Sequence, residues 1–199
     1  VSDGSPYRIL VVCTGNICRS PFAERLLRAR LRERLGDAAE AIEVSSAGTW
    51  GLVGKAMMPE AAATLRRYGG DPEGFVACAL TAEQIEAADL ILCLTREHRA
   101  DVVLKVPSAS SRVATLRQYS RLLEGVSPED IDAPPADPAA RFRAVTAAAF
   151  ARRGHAPAAS PDDDDVPDPF GLELAAYERA AAMIDRSLEV PLSLLAPAS

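Results

Sequence analysis

The chain has 199 residues, 48% hydrophobic and 25% charged, enough to bury one substantial core and within the range of a single globular domain. A formal net charge of -6 disfavours a general nucleic-acid or anionic-membrane binder, though a local basic pocket for one phosphate group remains compatible with it. Four cysteines, at positions 13, 18, 78 and 93, do not suggest a disulfide scaffold, because a core of this size needs no covalent staple.

Near the N-terminus, Arg8 to Val12 is a short run rich in β-branched residues that predicts a strand. Its apolar part is too short for a signal-peptide core or a membrane span, so the expected location is cytoplasmic, with reduced thiols. From Pro21 to Leu35 the pattern turns helical, with Phe22, Leu26, Leu27, Leu31 and Leu35 on one side and Gly36 as the stop. Ala41 to Ser45 reads as a second strand and Pro59 to Tyr68 as a helix ended by Gly69-Gly70. Thr81-Ala82-Glu83-Gln84 has the spacing of a capping box and opens another helix. Leu90 to Leu94 is an unbroken apolar run suited to a strand covered on both faces, and Thr95 to Val106 follows as a capped helix. Arg112 to Thr115 is a shorter fourth strand.

This alternation predicts an α/β fold, a parallel sheet with helices on both faces and ligands beyond the carboxyl ends of the strands. Between 124 and 166 the rhythm breaks, with Pro128, Pro134, Pro135, Pro138, Pro157 and Pro161 and the acid run Asp162 to Asp165. The stretch reads as an insertion into a single domain spanning 1–199. Within it, Ala139 to Arg153 forms one helix with Phe142, Val145 and Ala149 on a face, and the acid run reads as a solvated loop. After Gly171, Leu174, Tyr177, Ala181, Ile184 and Leu188 recur at helical spacing, as a closing helix packed on the core.

The chemistry concentrates in Cys13-Thr14-Gly15-Asn16-Ile17-Cys18-Arg19-Ser20-Pro21, between a strand and a helix. A loop in that place points backbone N–H groups into one concavity, and the helix dipole favours an anion there. Gly15 and Asn16 tolerate left-handed conformations, and Pro21 suits the first helical turn. Arg19 can fork two donors onto phosphate oxygens, which a lysine cannot copy. The same field favours the thiolate of Cys13, a nucleophile for phosphorus, with Ser20 placed to donate a hydrogen bond to the sulfur. A departing alcohol or phenol needs an acid. Asp168, in Val166-Pro167-Asp168-Pro169-Phe170-Gly171, is the candidate, with Phe170 beside an aromatic leaving group. Read without the cysteine loop, that Asp-Pro pair is only a turn signal.

At these two segments the sequence resembles the low-molecular-weight protein tyrosine phosphatases. Ser46-Ala47-Gly48-Thr49-Trp50 and Ala88-Asp89-Leu90-Ile91-Leu92-Cys93-Leu94-Thr95 are similar to two further segments of that family. The resemblance implies a four-stranded parallel sheet, wound as in flavodoxin-like folds, and hydrolysis of phosphotyrosine on proteins through a phosphocysteine, without metal or cofactor. It also implies that Asp168 serves first as acid, then as base. It further implies that Asn16 holds the loop with Ser46 behind it, and that Trp50 and Phe170 wall the substrate ring. Thr14, Gly15, Asn16, Ile17, Cys18 and Ser20 line the phosphate site. A relative acting on phosphoarginine carries threonine where this chain has Ile17, so Ile17 points to phosphotyrosine. Cys18 is placed to close a reversible disulfide with Cys13 that shields it from over-oxidation, which peroxide treatment followed by mass spectrometry tests. Cys78 and Cys93 read as core residues.

The sequence departs from the family in its extra length between Leu123 and Val166. Placed just before the acid motif, the Asp162–Asp165 run bears on the proton affinity of Asp168 or on acidic substrates. Rival functions are a protein arginine phosphatase, a thiol-dependent arsenate reductase, a non-catalytic phosphate-binding or redox module and a flavodoxin-like nucleotide carrier. The wide separation of Cys78 from Cys93 disfavours the reductase relay, and the intact Cys13, Arg19 and Asp168 disfavour the non-catalytic readings.

Overall fold

In the computed structural model, residues 5–154 and 160–195 are described; Pro157, one of the prolines assigned to the inserted segment, lies outside them. The chain begins with β1 (Tyr7–Cys13), followed by α1 (Arg19–Leu35), β2 (Ile42–Gly48) and α2 (Pro59–Arg67). Next come α3 (Ala82–Ala87), β3 (Leu90–Cys93), α4 (Arg96–Lys105), β4 (Val113–Thr115) and α5 (Leu116–Leu122). The remaining helices are α6 (Pro138–Ala151), the single turn α7 (Pro161–Asp164) and α8 (Leu174–Ser193). Short 3₁₀ turns lie at Gly36–Ala41, Pro107–Ser111 and Pro128–Asp130.

All four strands run parallel in the order β2-β1-β3-β4. β1 lies centrally, with Val12 opposite Ala47 on one side and Cys93 on the other, and only Arg8 of its seven residues is exposed. Alternation along β1 divides the core. Tyr7, Ile9 and Val11 pack with residues of α1, α5, α6 and α8, while Leu10 and Val12 pack with Ile85 of α3 and Val102 of α4. Apolar burial on both faces explains why β1 and β3 read as continuous apolar runs. Among the described residues, no helix is long and apolar enough to cross a membrane.

The expected elements form, with shifted ends. α1 begins at Arg19, two residues before Pro21, so Pro21 occupies its first turn. Missing from the sequence reading is α5, which starts directly after β4 with no glycine or proline between. Its cap is Thr115, whose hydroxyl oxygen accepts the N–H of Gln118 at 3.0 Å. The helix expected over 139–153 is α6, capped by Asp137, and it does bury Phe142, Val145 and Ala149. Phe142 stacks on Tyr7 with ring centroids 5.3 Å apart. Buried Arg141 ties α6 to its surroundings through three backbone carbonyls, of Leu194 at 2.7 Å, Ala133 at 2.8 Å and Pro128 at 2.9 Å. The stripe expected on the closing helix holds except at Leu174, which is 46% exposed because it opens α8 beyond the edge of the core.

The acid run differs more. It is not a freely solvated loop: Asp164 is buried at the end of α7, ion-paired to Arg96 and Arg121 at 2.7 Å each. Exposed Asp162 and Asp163 fit the solvated reading. Cys93 lies in the core as expected, whereas Cys78 is only half buried, its sulfur against the carbonyl of Ser46 at 3.3 Å.

Candidate active site

The carboxyl ends of β1 and β2 converge where Cys13 closes the first strand and Gly48 the second, paired in register. Residues 14–18 then form the tight loop that ends at the first turn of α1, with Asn16 at φ 55, in the left-handed region that asparagine tolerates. The loop's carbonyls are turned outward and held by the segment that follows β2. Cys13 O accepts the N–H of Thr49 at 2.9 Å, Thr14 O that of Trp50 at 3.0 Å, Gly15 O that of Leu52 at 3.0 Å and Ile17 O that of Met58 at 2.9 Å. With the carbonyls outside, the peptide planes aim their N–H groups inward, the arrangement that binds an anion. This approach requires glycine at two points. A Cβ on Gly48 would overlap the carbonyl oxygen of Thr14, and one on Gly51 would overlap that of Cys78.

Under the bowl, a buried chain of polar side chains fixes the sulfur's surroundings. The amide nitrogen of Asn16 donates to Ser20 Oγ at 2.9 Å and to Ser46 Oγ at 2.8 Å, and its oxygen accepts the N–H of Cys78 at 2.9 Å. Each serine oxygen thus accepts from Asn16 and turns its own hydrogen onward. Ser46 donates to Glu24 Oε2 at 2.6 Å, and Ser20 faces Cys13 Sγ at 2.9 Å as the donor. Burial raises the pKa of Glu24, and its bond from Ser46 and the neighbouring Arg28 and Arg25 oppose that rise. Cys18, the second thiol of the loop, is pushed up to about 12, first by burial and then by the charge of Asp168.

Arg19 is 5% exposed and spans the bowl. It donates from NH1 to Val166 O at 3.0 Å and from NH2 to Asp168 Oδ2 at 2.6 Å and Thr14 Oγ1 at 3.4 Å. Its Nε is buried with no hydrogen-bond partner among the described residues, so the guanidinium still offers a donor toward an anion. The cavity above Cys13 has a volume of 200 Å³ and is lined by Thr14, Gly15, Ile17, Cys18 and Arg19, with Trp50, Leu52, Asp168 and Phe170 at its mouth. Trp50 is 80% exposed and stands on the rim. A wider cavity of 660 Å³ opens at the opposite end of the sheet beside Arg8, Ile42 and Glu43, and no cysteine lines it.

The sequence reading missed His98. It sits at the third position of α4, 3% exposed, between Thr95 Oγ1 at 2.9 Å from Nδ1 and Thr14 Oγ1 at 2.8 Å from Nε2. Each hydroxyl oxygen also accepts a second N–H, Thr95 Oγ1 that of His98 at 3.2 Å and Thr14 Oγ1 that of Arg19 at 3.4 Å, so both threonines face the ring and the tautomer sets which of them donates to it. Burial, then the charge of Arg19, lowers the pKa of His98 from 6.5 to about 4, against an opposing pull from Asp168. Between those values the unfolded chain binds a proton that the folded chain does not. This group's contribution to stability therefore falls as pH drops through the window, by up to about 3 kcal/mol. Denaturation of the wild type and His98→Asn at pH 7 and 4.5 checks this: the wild type is expected to lose more stability than the variant, and equal losses would contradict the assignment.

A phosphate-sized bowl of backbone amides at a helix N-terminus, with a cysteine beneath and an arginine across it, places the fold and site in the class of cysteine-dependent phosphatases. The sequence comparison agrees: the family model described as low molecular weight phosphotyrosine protein phosphatase matches residues 8–152, and the chain belongs to that family. The matched range ends before Asp168. Low molecular weight protein-tyrosine-phosphatase Etp of Escherichia coli K12 is 41% identical over 111 residues, 56% of this chain and 70% of that protein. The protein-arginine-phosphatase of Geobacillus stearothermophilus is 33% identical over 140 residues, 70% of this chain and 86% of that one. Vibrio vulnificus Wzb, solved in complex with benzylphosphonate, shares the fold at a TM-score of 0.64 and 23% identity, covering 93% of this chain and 96% of that chain.

Proposed function

We propose that this chain hydrolyses phosphotyrosine on protein substrates in the cytoplasm, within one domain, through a phosphocysteine on Cys13. The observation that carries the reading is the bond of 2.6 Å between Arg19 and Asp168, 149 residues apart in sequence, which brings a carboxylic acid to the mouth of the cysteine bowl. Arg19 and the loop amides hold the phosphoryl oxygens. Cys13 Sγ forms a bond to phosphorus as the ester P–O bond breaks, and Asp168 delivers its proton to the departing oxygen. A water then attacks phosphorus while Asp168 takes its proton. The S–P bond breaks, and the thiolate is released against the hydroxyl of Ser20. Asn16, with Ser46 and Glu24 behind it, keeps that hydroxyl pointed at sulfur.

Trp50 and Phe170 are both exposed and both line the cavity, apolar rings suited to packing against a flat aromatic substrate. The second reading, a protein arginine phosphatase, is favoured by the extent of likeness to the Geobacillus protein. Against it stands Ile17, an apolar side chain in the cavity lining. The two are separated by phosphotyrosine and phosphoarginine peptides offered in parallel to wild type and Ile17→Thr. Wild type is expected to turn over the phosphotyrosine peptide at least tenfold faster, about the discrimination one apolar contact supplies, and Ile17→Thr to narrow that ratio. Faster phosphoarginine turnover by wild type would overturn the assignment.

A further inference from the structure

The acid run is fastened immediately upstream of the proposed general acid. Asp164, 4% exposed, accepts from Arg96 NH2 and Arg121 NH2 at 2.7 Å each and from Arg96 Nε at 2.8 Å. The Asp165 carboxylate accepts the backbone N–H of Arg96 at 2.7 Å, at the first residue of α4. Arg117 reaches the carbonyl of Asp165 at 2.9 Å and that of Asp162 as well. Val166 is wholly buried; its N–H donates to Leu94 O at 2.8 Å and its carbonyl accepts from Arg19 at 3.0 Å. One residue, Pro167, separates this last anchor from Asp168.

The anchors on one side belong to the end of β3 and the start of α4, and on the other to α5. The carboxylate of Asp164 bridges the two, tying the strap to elements that leave the same edge of the sheet as the cysteine loop. A buried ion pair of this kind adds little net stability once desolvation is counted, and its best-attested use is to specify one arrangement over others. The proton of a general acid must lie within hydrogen-bond reach of the leaving oxygen, and a displacement of about 1 Å can cost roughly a hundredfold in rate. Because two arginines compensate its charge, Asp164 is poorly suited to repel substrates at a distance; that capacity rests with exposed Asp162 and Asp163.

We propose that Asp164, by bridging Arg96 and Arg121, is a positioning residue that sets where Asp168 meets the leaving group. The proposal rests on the reading of Asp168 as general acid. A group acting through Asp168 matters only where the leaving oxygen needs a proton, and this distinguishes it from one that merely holds the fold.

The test is kcat/KM of wild type, Asp164→Asn, Arg121→Gln and Asp168→Ala on a series running from p-nitrophenyl phosphate, a good leaving group, to phenyl phosphate, a poor one. The side chains of Arg96 and Arg121 are partly exposed, so water can reach them once the Asp164 charge is removed and the fold is expected to survive, as thermal melts and inhibition by inorganic phosphate report. Asp164→Asn is expected to lose about tenfold or more on phenyl phosphate and less than about threefold on p-nitrophenyl phosphate, with phosphate inhibition unchanged. Arg121→Gln should show the same slope more weakly, because Arg96 still holds Asp164, and it decides the matter alone should Asp164→Asn fail to fold. Equal losses on both substrates, or none, while Asp168→Ala is steeply selective, would overturn the positioning role. No selectivity in Asp168→Ala itself would instead remove the general-acid assignment, and the positioning role with it.

Discussion

Cys13→Ser is expected to abolish turnover of aryl phosphates, a loss of roughly 10⁴-fold or more, while leaving inorganic phosphate bound with similar affinity. The two effects separate because the bowl and the nucleophile are built from different atoms. In the proposed mechanism the anion is held by loop amides, turned inward because the carbonyls of Cys13, Thr14, Gly15 and Ile17 bond outward to residues 49–58, and by Arg19. None of these needs the sulfur. A serine hydroxyl is a far weaker nucleophile than a thiolate, and the bond from Ser20 that steadies a sulfur anion does not convert an alcohol into an alkoxide. Steady-state assays with phosphate titration followed by NMR check both halves; a variant retaining a tenth of wild-type turnover would contradict the role given to Cys13.

Arg19→Lys is the second large effect, an expected fall of about 10³-fold in kcat/KM. One guanidinium bonds to Val166 O, Thr14 Oγ1 and Asp168 Oδ2 while buried against the floor of the site, and an ammonium has neither the planar fork nor the reach to do so. The loss should therefore appear in two places. Binding of phosphate weakens because the guanidinium's planar donor set is gone, and dependence on the leaving group steepens because Val166 and Asp168 lose a tether. Lysine rescuing activity to within tenfold of wild type would show that charge alone suffices at this position.

The cysteine loop was legible from sequence because its determinants are local. The apolar run before Cys13, the permissive pair Gly15-Asn16 and the amphipathic pattern after Pro21 together require a strand, a tight turn and a helix within a few residues. Asp168 was legible only as a motif; what makes it part of the site is the contact to Arg19, which no local pattern encodes. His98 escaped because a histidine three residues after Thr95 reads as an ordinary first-turn residue, and its partner Thr14 comes from a different strand–helix unit. Glu24 was missed for a similar reason, since a charged residue within α1 looks like part of a solvated face until β2 brings Ser46 against it. The acid run illustrates the converse error. Four consecutive carboxylates suggest water, yet α4 and α5 present Arg96 and Arg121 where Asp164 falls, and tertiary placement decided which carboxylate was buried. Leu174 gave no sign of its exposure in the sequence, because burial depends on where the core ends, whereas Trp50 is exposed as its place beside the substrate ring requires.

The proposed hydrolysis turns on a covalent intermediate at one atom. The most direct measurement is to mix Asp168→Ala, in which release of phosphate should be slowed, with p-nitrophenyl phosphate, quench during turnover, and map the phosphoryl group by mass spectrometry. The expected result is a phosphoryl group on Cys13 that disappears as substrate is consumed and is absent from Cys13→Ser. Release of nitrophenol with Cys13 unmodified throughout, or a phosphoryl group on another residue, would contradict the mechanism.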